Sequence, residues 1–217
     1  MQINNISSTN TFTSRNNPIP TETFISAFGK LSIGEASADD ITPVAKLIRA
    51  QEMKGFKIKN FYGPDAAESK EFYKQINKYQ WLKDIKQYLT KLLEKPDGNS
   101  SILVAKNEDG KVIGYATMES MNGVKDKVGV IENIYLDYKY TKSNLGHYLL
   151  NKITQSAQGQ FSDVVTQSPY IGGHHIYHDL GFNYLPAKCK AVQILNTQHN
   201  DDFEYQGWMR KQLDYYL

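Results

Sequence analysis

Residues 128–152 read VGVIENIYLDYKYTKSNLGHYLLNK. The first part is apolar and β-branched (Val128, Val130, Ile131, Ile134, Leu136) and predicts a strand. A polar turn follows. A helix then begins near Ser143 and runs through Leu145, Leu149, Leu150 and Ile153, spaced to line one face. A strand that feeds a helix start bearing Ser143, Asn144 and Gly146 can build an anion site. The first four N–H groups of a helix have no intrahelical acceptor, and the helix dipole favours negative charge beside them. The stretch therefore predicts a phosphate-bearing ligand at a helix N-terminus.

Outward from this stretch, the 217 residues fit one domain with extensions. A hydrophobic fraction of 40% against 22% charged residues points to a globular protein in water. No apolar run approaches the roughly 20 residues that span a bilayer, and the first residues lack the apolar core of a secretory signal. A membrane role is not expected. The net charge of +2 is too small to argue for nucleic acid. Cys189 is the only cysteine, which excludes an internal disulfide and a cysteine-rich zinc site.

Residues 1–27 are rich in Asn, Ser and Thr, with Pro18, Pro20 and the single acid Glu22. They predict a disordered tail. The same composition is found at the start of injected bacterial effectors, so a non-cleaved export address is a second reading of it. The chain is otherwise expected in the bacterial cytoplasm, as monomer or homodimer.

Further elements follow from local pattern. Leu31–Glu35 predicts a strand, and Asp39 or Thr42 caps a helix with Pro43 in its first turn. From Phe72 through Ile76, Tyr79, Leu82, Ile85 and Leu89 to Leu92, apolar residues recur at three- and four-residue steps, predicting a long amphipathic helical region. Residues 52–95 hold ten Lys against six Asp/Glu, either a solvated face or a lure for an acidic partner. Ser101–Lys106 and Lys111–Glu119 form a hairpin around Asn107-Glu108-Asp109-Gly110. Asp163–Ser168 predicts a strand, a short helix to Leu180 is stopped at Gly181, and Ala191–Leu195 predicts a last strand.

Two segments of this order resemble the GNAT N-acetyltransferase superfamily. The family's strand ends L-x-V and is followed by R/Q-x-x-G-x-G/A, whose first Gly lies eight residues after the Val. Here Ile134-Tyr135-Leu136 ends the strand, Asn144 lies eight residues beyond Leu136, and Gly146 follows. The second segment, Ile176-Tyr177-His178-Asp179-Leu180-Gly181-Phe182, is similar to the family's F/L-Y-x-x-L-G-F. The resemblance spans about residues 31–195. It implies an α/β fold, a central mixed sheet flanked by helices, occupying residues 28–195 with a helical insertion at about 52–98 and a C-terminal extension at 196–217. The chain departs from the pattern at Thr141, where the family has Arg or Gln, at Asn144, and at Tyr170, where an Asn is usual. Asn tolerates tight backbone best among non-glycine residues, so Asn144 can hold the loop, and Lys139 or Lys142 can supply positive charge.

The resemblance implies acetyl-CoA as cosubstrate and a primary amine as acceptor, attacked directly on the thioester without metal or acyl-enzyme. Ile134, Tyr135 and Leu136 would hold the pantetheine arm. Thr141, Lys142, Ser143, Asn144, Leu145, Gly146 and His147 would hold the pyrophosphate, with Tyr170 nearby. An amine must lose a proton to attack, and Glu132 is the only acid in the apolar run 128–136. It is either that base or an outward-facing strand residue, with Glu119 as fallback. Tyr177 falls where the family carries the acid that protonates the thiolate. His174 and His178 sit four apart, but His175 breaks the H-E-x-x-H pattern, and no other ligands cluster nearby. A protein or peptide acceptor is favoured slightly over a small amine. A degenerate module that binds acyl-CoA without turnover is the rival expectation.

Overall fold

A computed structural model describes residues 19–55, 78–94, 100–121, 128–167, 174–186, 190–199 and 207–213. The strands are β1 (Glu22–Ser26), β2 (Gly29–Glu35), β3 (Ser100–Lys106), β4 (Val112–Ser120), β5 (Val128–Leu136), β6 (Asp163–Gln167), β7 (Asn183–Tyr184) and β8 (Trp208–Gln212). The helices are α1 (Ile41–Gly55), α2 (Lys78–Leu93), α3 (Leu145–Ser156), α4 (His174–Asp179) and α5 (Lys190–His199). The strands form one sheet in the order β1-β2-β3-β4-β5-β6-β8-β7, with β5 and β6 its one parallel pair among the described residues. The mixed α/β class expected from sequence is thus the class observed.

Each face of the sheet is covered. Leu145, Leu149, Leu150 and Ile153 of α3 are fully buried against Leu31, Leu103, Ala116 and Ile131. On the other face Val44, Leu47 and Ile48 of α1 and Trp81, Leu89 and Leu92 of α2 cover Ile102, Val104 and Tyr115. Of the helical stripe read at three- and four-residue steps, Leu89 and Leu92 are buried and Leu82 and Ile85 pack partly buried against this core, whereas Tyr79 is 86% exposed and Trp81, outside the stripe, is buried instead. The first residues of the stripe, Phe72 and Ile76, lie outside the described residues.

The sheet extends beyond its expected bounds at both ends. Residues 22–26, read as tail, form edge strand β1 against β2, and Ile19 is buried with its N–H donated to Glu35 (3.1 Å). The reason is tertiary: β1 ties itself to α3 through a Phe24–Tyr148 stack and a Glu22–Lys152 ion pair. These strand and helix residues border a cavity of about 330 Å³ on the flank of α3. At the other end β8, within the expected C-terminal extension, inserts between β6 and β7 and buries Trp208 and Met209. The strand expected at Ala191–Leu195 is instead part of helix α5. Val192 and Leu195 point to one core at a three-residue step, and the short run AVQIL fits either period.

Asp39, one of the two expected caps of α1, lies instead in a 3-10 turn, Ala38–Asp40, that leads into the helix and is itself capped by Ser37, and Thr42 lies inside α1. Asp40 accepts from both the Ser37 N–H and its hydroxyl (3.0 Å each) and meets Lys106 Nζ at 2.7 Å. Burial works to raise the Asp40 carboxyl, yet the Lys106 and Ser37 donors together hold it below the usual carboxylate range. A depressed native value contributes stability above the unfolded value of about 3.9, lost as pH falls through the native one. Asp40→Ala is therefore expected to cost about 2 kcal/mol at pH 7, with the gap from the parent chain closing below about pH 4. Urea unfolding at both pH values checks this.

Candidate active site at the splayed strands

The parallel ladder between β5 and β6 runs from Val128–Asp163 to Ile131–Thr166 and ends there. Beyond it β5 continues for five residues, paired by β4. The Thr166 hydroxyl donates to the Ile131 carbonyl (3.1 Å) at the fork. Asp137 donates its N–H to Ile113 of β4 (2.6 Å). Backbone groups alternate along a strand, so those of Tyr135 face β4 and those of Ile134 and Leu136 face the opening gap. Ile134 and Leu136 pack their side chains under α3. Tyr135 turns its ring to the other face, stacked on Tyr115 at 5.5 Å, so its side chain serves the core.

Along β5 the register against β4 slips: Asn133 pairs Thr117, but Ile131 pairs Met118. Glu132 is the inserted residue of a bulge. Simple alternation would set Glu132 on the same side as Ile134 and Leu136, but a bulge re-aims the side chains at the insertion. Glu132 lies within electrostatic reach of Tyr88 of α2, and its neighbour Asn133 donates to Thr117, which also bonds Tyr88 on the α1–α2 side of the sheet. Glu119 is on that side too, accepting from the Tyr88 hydroxyl at 2.8 Å.

At the far end of the gap, residues 138–140 form a single 3-10 turn, and α3 begins at Leu145. The first intrahelical bond runs from the Tyr148 N–H to Asn144, so the amides of Gly146 and His147 precede it. The Leu145 amide is taken by Ser143 Oγ (3.2 Å), and Ser143 Oγ donates to the Tyr140 carbonyl (2.5 Å). Leu145 is buried and anchors the helix. Thr141 donates its hydroxyl to Tyr138 O (2.8 Å), stiffening the loop. Asn144 caps α3 at φ −73°, ψ 11°, with no side-chain cap bond, so no left-handed backbone is required there. The reason expected for Asn at this position is thereby replaced. A Cβ on Gly146 would meet only Leu136 Cδ1, at 3.5 Å, an ordinary contact. Lys139 and Lys142, in the segment before α3, are exposed.

Tyr177 approaches from α4. Its helix stops at Gly181 (φ 86°), where the Phe182 N–H returns to the Tyr177 carbonyl (2.9 Å). Phe182 is fully buried and edge-on to the Tyr177 ring at 5.7 Å. The Leu-Gly-Phe signature is thus a helix stop that locks one tyrosine. Burial pushes the Tyr177 phenol up, opposed in part by its hydrogen bond with Thr166. Tyr177 therefore stands protonated at the fork.

Tyr177 stands at the fork through Thr166, Ile134 and Leu136 continue β5 beyond it on the α3 side, Glu132 sits apart from them at the bulge, and Ser143, Gly146 and His147 stand at the helix start. Tyr170 and Cys189 lie outside the described residues. Among the described residues no three His, Cys, Asp or Glu side chains come together as a metal site would need. Tyr88 and Thr166 were not anticipated. Their one signal was a polar residue inside a buried stretch.

An open mixed sheet with this fork and helix start defines an acyltransferase architecture. A model of the acetyltransferase (GNAT) family matches residues 59–182, and the chain belongs to that family. Solved structures share the fold at low identity. A GNAT-family acetyltransferase from Staphylococcus aureus Mu50 matches at TM-score 0.58 and 13% identity, over 85% of this chain and 99% of that one. A phosphinothricin acetyltransferase from Sinorhizobium meliloti, solved with AcCoA, matches at 0.55 and 16%, over 88% and 89%. A ribosomal-protein-alanine N-acetyltransferase from Brucella melitensis matches at 0.55 and 14%, over 83% and 99%. No curated protein matches the chain.

Proposed function

We propose that the chain transfers an acetyl group from acetyl-CoA to a primary amine, with a protein or peptide amine the favoured acceptor. The observation that carries this is the ladder that ends at Ile131–Thr166, leaving Ile134 and Leu136 to face a gap with α3 at one end and Tyr177 at the fork. Acetyl-CoA supplies the activated acetyl thioester. The chemistry of the lining fits it. Gly146 and His147 present N–H groups to a pyrophosphate, with Lys139 and Lys142 adding charge. Leu136 offers its backbone to the pantetheine amides as a neighbouring strand would. The Ile134 N–H polarises the carbonyl oxygen as negative charge develops there.

Glu132 takes the proton from the attacking amine, directly or through one water. The new C–N bond forms as the C–S bond breaks, and Tyr177 gives its phenolic proton to the departing sulfur. A protein or peptide acceptor is favoured by the length and aromatic content of residues 52–98, which run from the end of α1 through α2 towards β3. The fork also accommodates a catalytically silent acyl-CoA binder, which the first experiment separates.

That experiment measures acetyl-CoA binding calorimetrically and CoA release with protein, peptide and small amines. Binding with release supports the proposal, binding without release leaves only the binder, and no binding overturns both. Tyr177→Phe is expected to lower kcat about ten- to a hundredfold while leaving acetyl-CoA affinity unchanged. An equal loss in affinity would assign Tyr177 to packing alone.

A further inference from the structure

Tyr88 lies on α2, the helix that covers the sheet face opposite α3. Its hydroxyl donates to Glu119 Oε1 at 2.8 Å, 31 residues away in sequence. Glu119 pairs with Val130 in the ladder, two pairs from the bulge that inserts Glu132. On the same face Asn133 Nδ2 donates to Thr117 Oγ1 at 3.3 Å. The Tyr88 phenol also hydrogen-bonds with Thr117, and burial first, then the charges of Glu119 and Glu132, push it well above its ordinary range. It is thus a lasting donor to the Glu119 carboxylate, and Glu132, at the bulge two pairs along the neighbouring strand, lies within its electrostatic reach.

We propose that Tyr88 is a positioning residue of the acceptor site, clamping Glu119 beside Glu132 so that the two carboxylates grip one amine. This rests on the reading of Glu132 as the base. A glutamate near a strand end has three side-chain torsions to fix, and one bond to a half-buried aromatic ring removes most of that freedom. The clamp engages one Glu119 oxygen and leaves the carboxylate anchored in a single orientation. Glu119 then accepts a hydrogen bond from the amine while Glu132 takes the proton that must leave. The proton passes from nitrogen to Glu132 and on to water. Glu119 undergoes no net change. Holding α2 against β4 by a bond to the acceptor site also links the helix that follows residues 56–77 to the chemistry.

The test uses the full chain, acetyl-CoA and three probes: spermidine, a lysine-bearing peptide and a peptide with a free N-terminal alanine. Tyr88→Phe is expected to raise the amine KM about tenfold or more, leaving kcat and acetyl-CoA affinity within about twofold. Tyr88→Phe combined with Glu119→Gln is expected to be no worse than Glu119→Gln alone, since both remove one interaction. A fall in kcat at unchanged amine KM, or fully additive losses, would overturn the proposal. If Tyr88→Phe does not fold, the Tyr88 hydroxyl proton resonance in Glu119→Gln decides: an upfield move supports the clamp, and an unmoved resonance sinks it. Should Glu132→Gln abolish transfer while Tyr88→Phe leaves the amine KM alone, the clamp fails and the base reading stands. Should no probe be acetylated by the parent chain, the transfer reading fails and the clamp with it.

Discussion

Glu132→Gln is expected to lower kcat by about a hundred- to ten-thousandfold, with acetyl-CoA affinity unchanged within about twofold. Gln keeps the size and shape of Glu but is neutral, carries an NH2 donor in place of one acceptor oxygen and cannot take the proton, so the bulge should persist. The bulge is what places the residue: Glu132 is inserted between the Ile131–Met118 and Asn133–Thr117 pairs and so escapes the core under α3. Steady-state CoA release, measured beside calorimetric binding, checks the split between rate and affinity. A variant retaining more than about a tenth of the parent rate would move the base to Glu119. Losses in affinity and rate together would mean that the bulge itself had collapsed.

Gly114→Val is expected to cost about 2–3 kcal/mol and to weaken acetyl-CoA binding at least about fivefold. Gly114 pairs with Leu136 in the ladder. A Cβ there would come within 2.9 Å of Leu136 Cδ2, 3.1 Å of Leu149 Cδ1 and 3.3 Å of the Tyr135 carbonyl. Leu136 ends the strand that faces the gap, and Leu149 lies one turn into the helix whose start is proposed to hold the phosphates. Both must move to admit a branched side chain, and interiors at close packing transmit such strain. The site loses its spacing although no residue that touches a ligand has changed. Urea unfolding and calorimetry test the two halves. A stable variant with normal affinity would show that the strand end and helix adjust independently.

How far the site can be read before folding differs from residue to residue. The helix start was visible because its signal is local: Ser143, Asn144 and Gly146 follow an apolar run at fixed spacing, and orphan N–H groups follow from helix geometry alone. Tyr177 was visible for a similar reason. The Gly181 stop and the buried Phe182 that hold it are four and five residues away. Strands β3, β4, β5 and β6 were readable from period-two and β-branched runs, since each buries its own face. Strand β1 was not, because three of its five residues are exposed and its reason for existing is α3. The run Ala191–Leu195 misled because five residues fit either period, and the core formed with Trp208 settles it as helix.

Glu132 marks the boundary between the two kinds of information. Its identity as the lone acid in the run 128–136 is a property of the chain. Its direction is not, because alternation along a strand reverses at a bulge, and a bulge exists only between two paired strands. The Tyr88–Glu119 bond is likewise a product of α2 settling on β4 across 31 residues. Local order therefore determined the elements, the helix start and the family of the protein. The fork between β5 and β6, the bulge at Glu132 and the meeting of Tyr88 with Glu119 were decided by packing, which alone brings distant strands and helices into register.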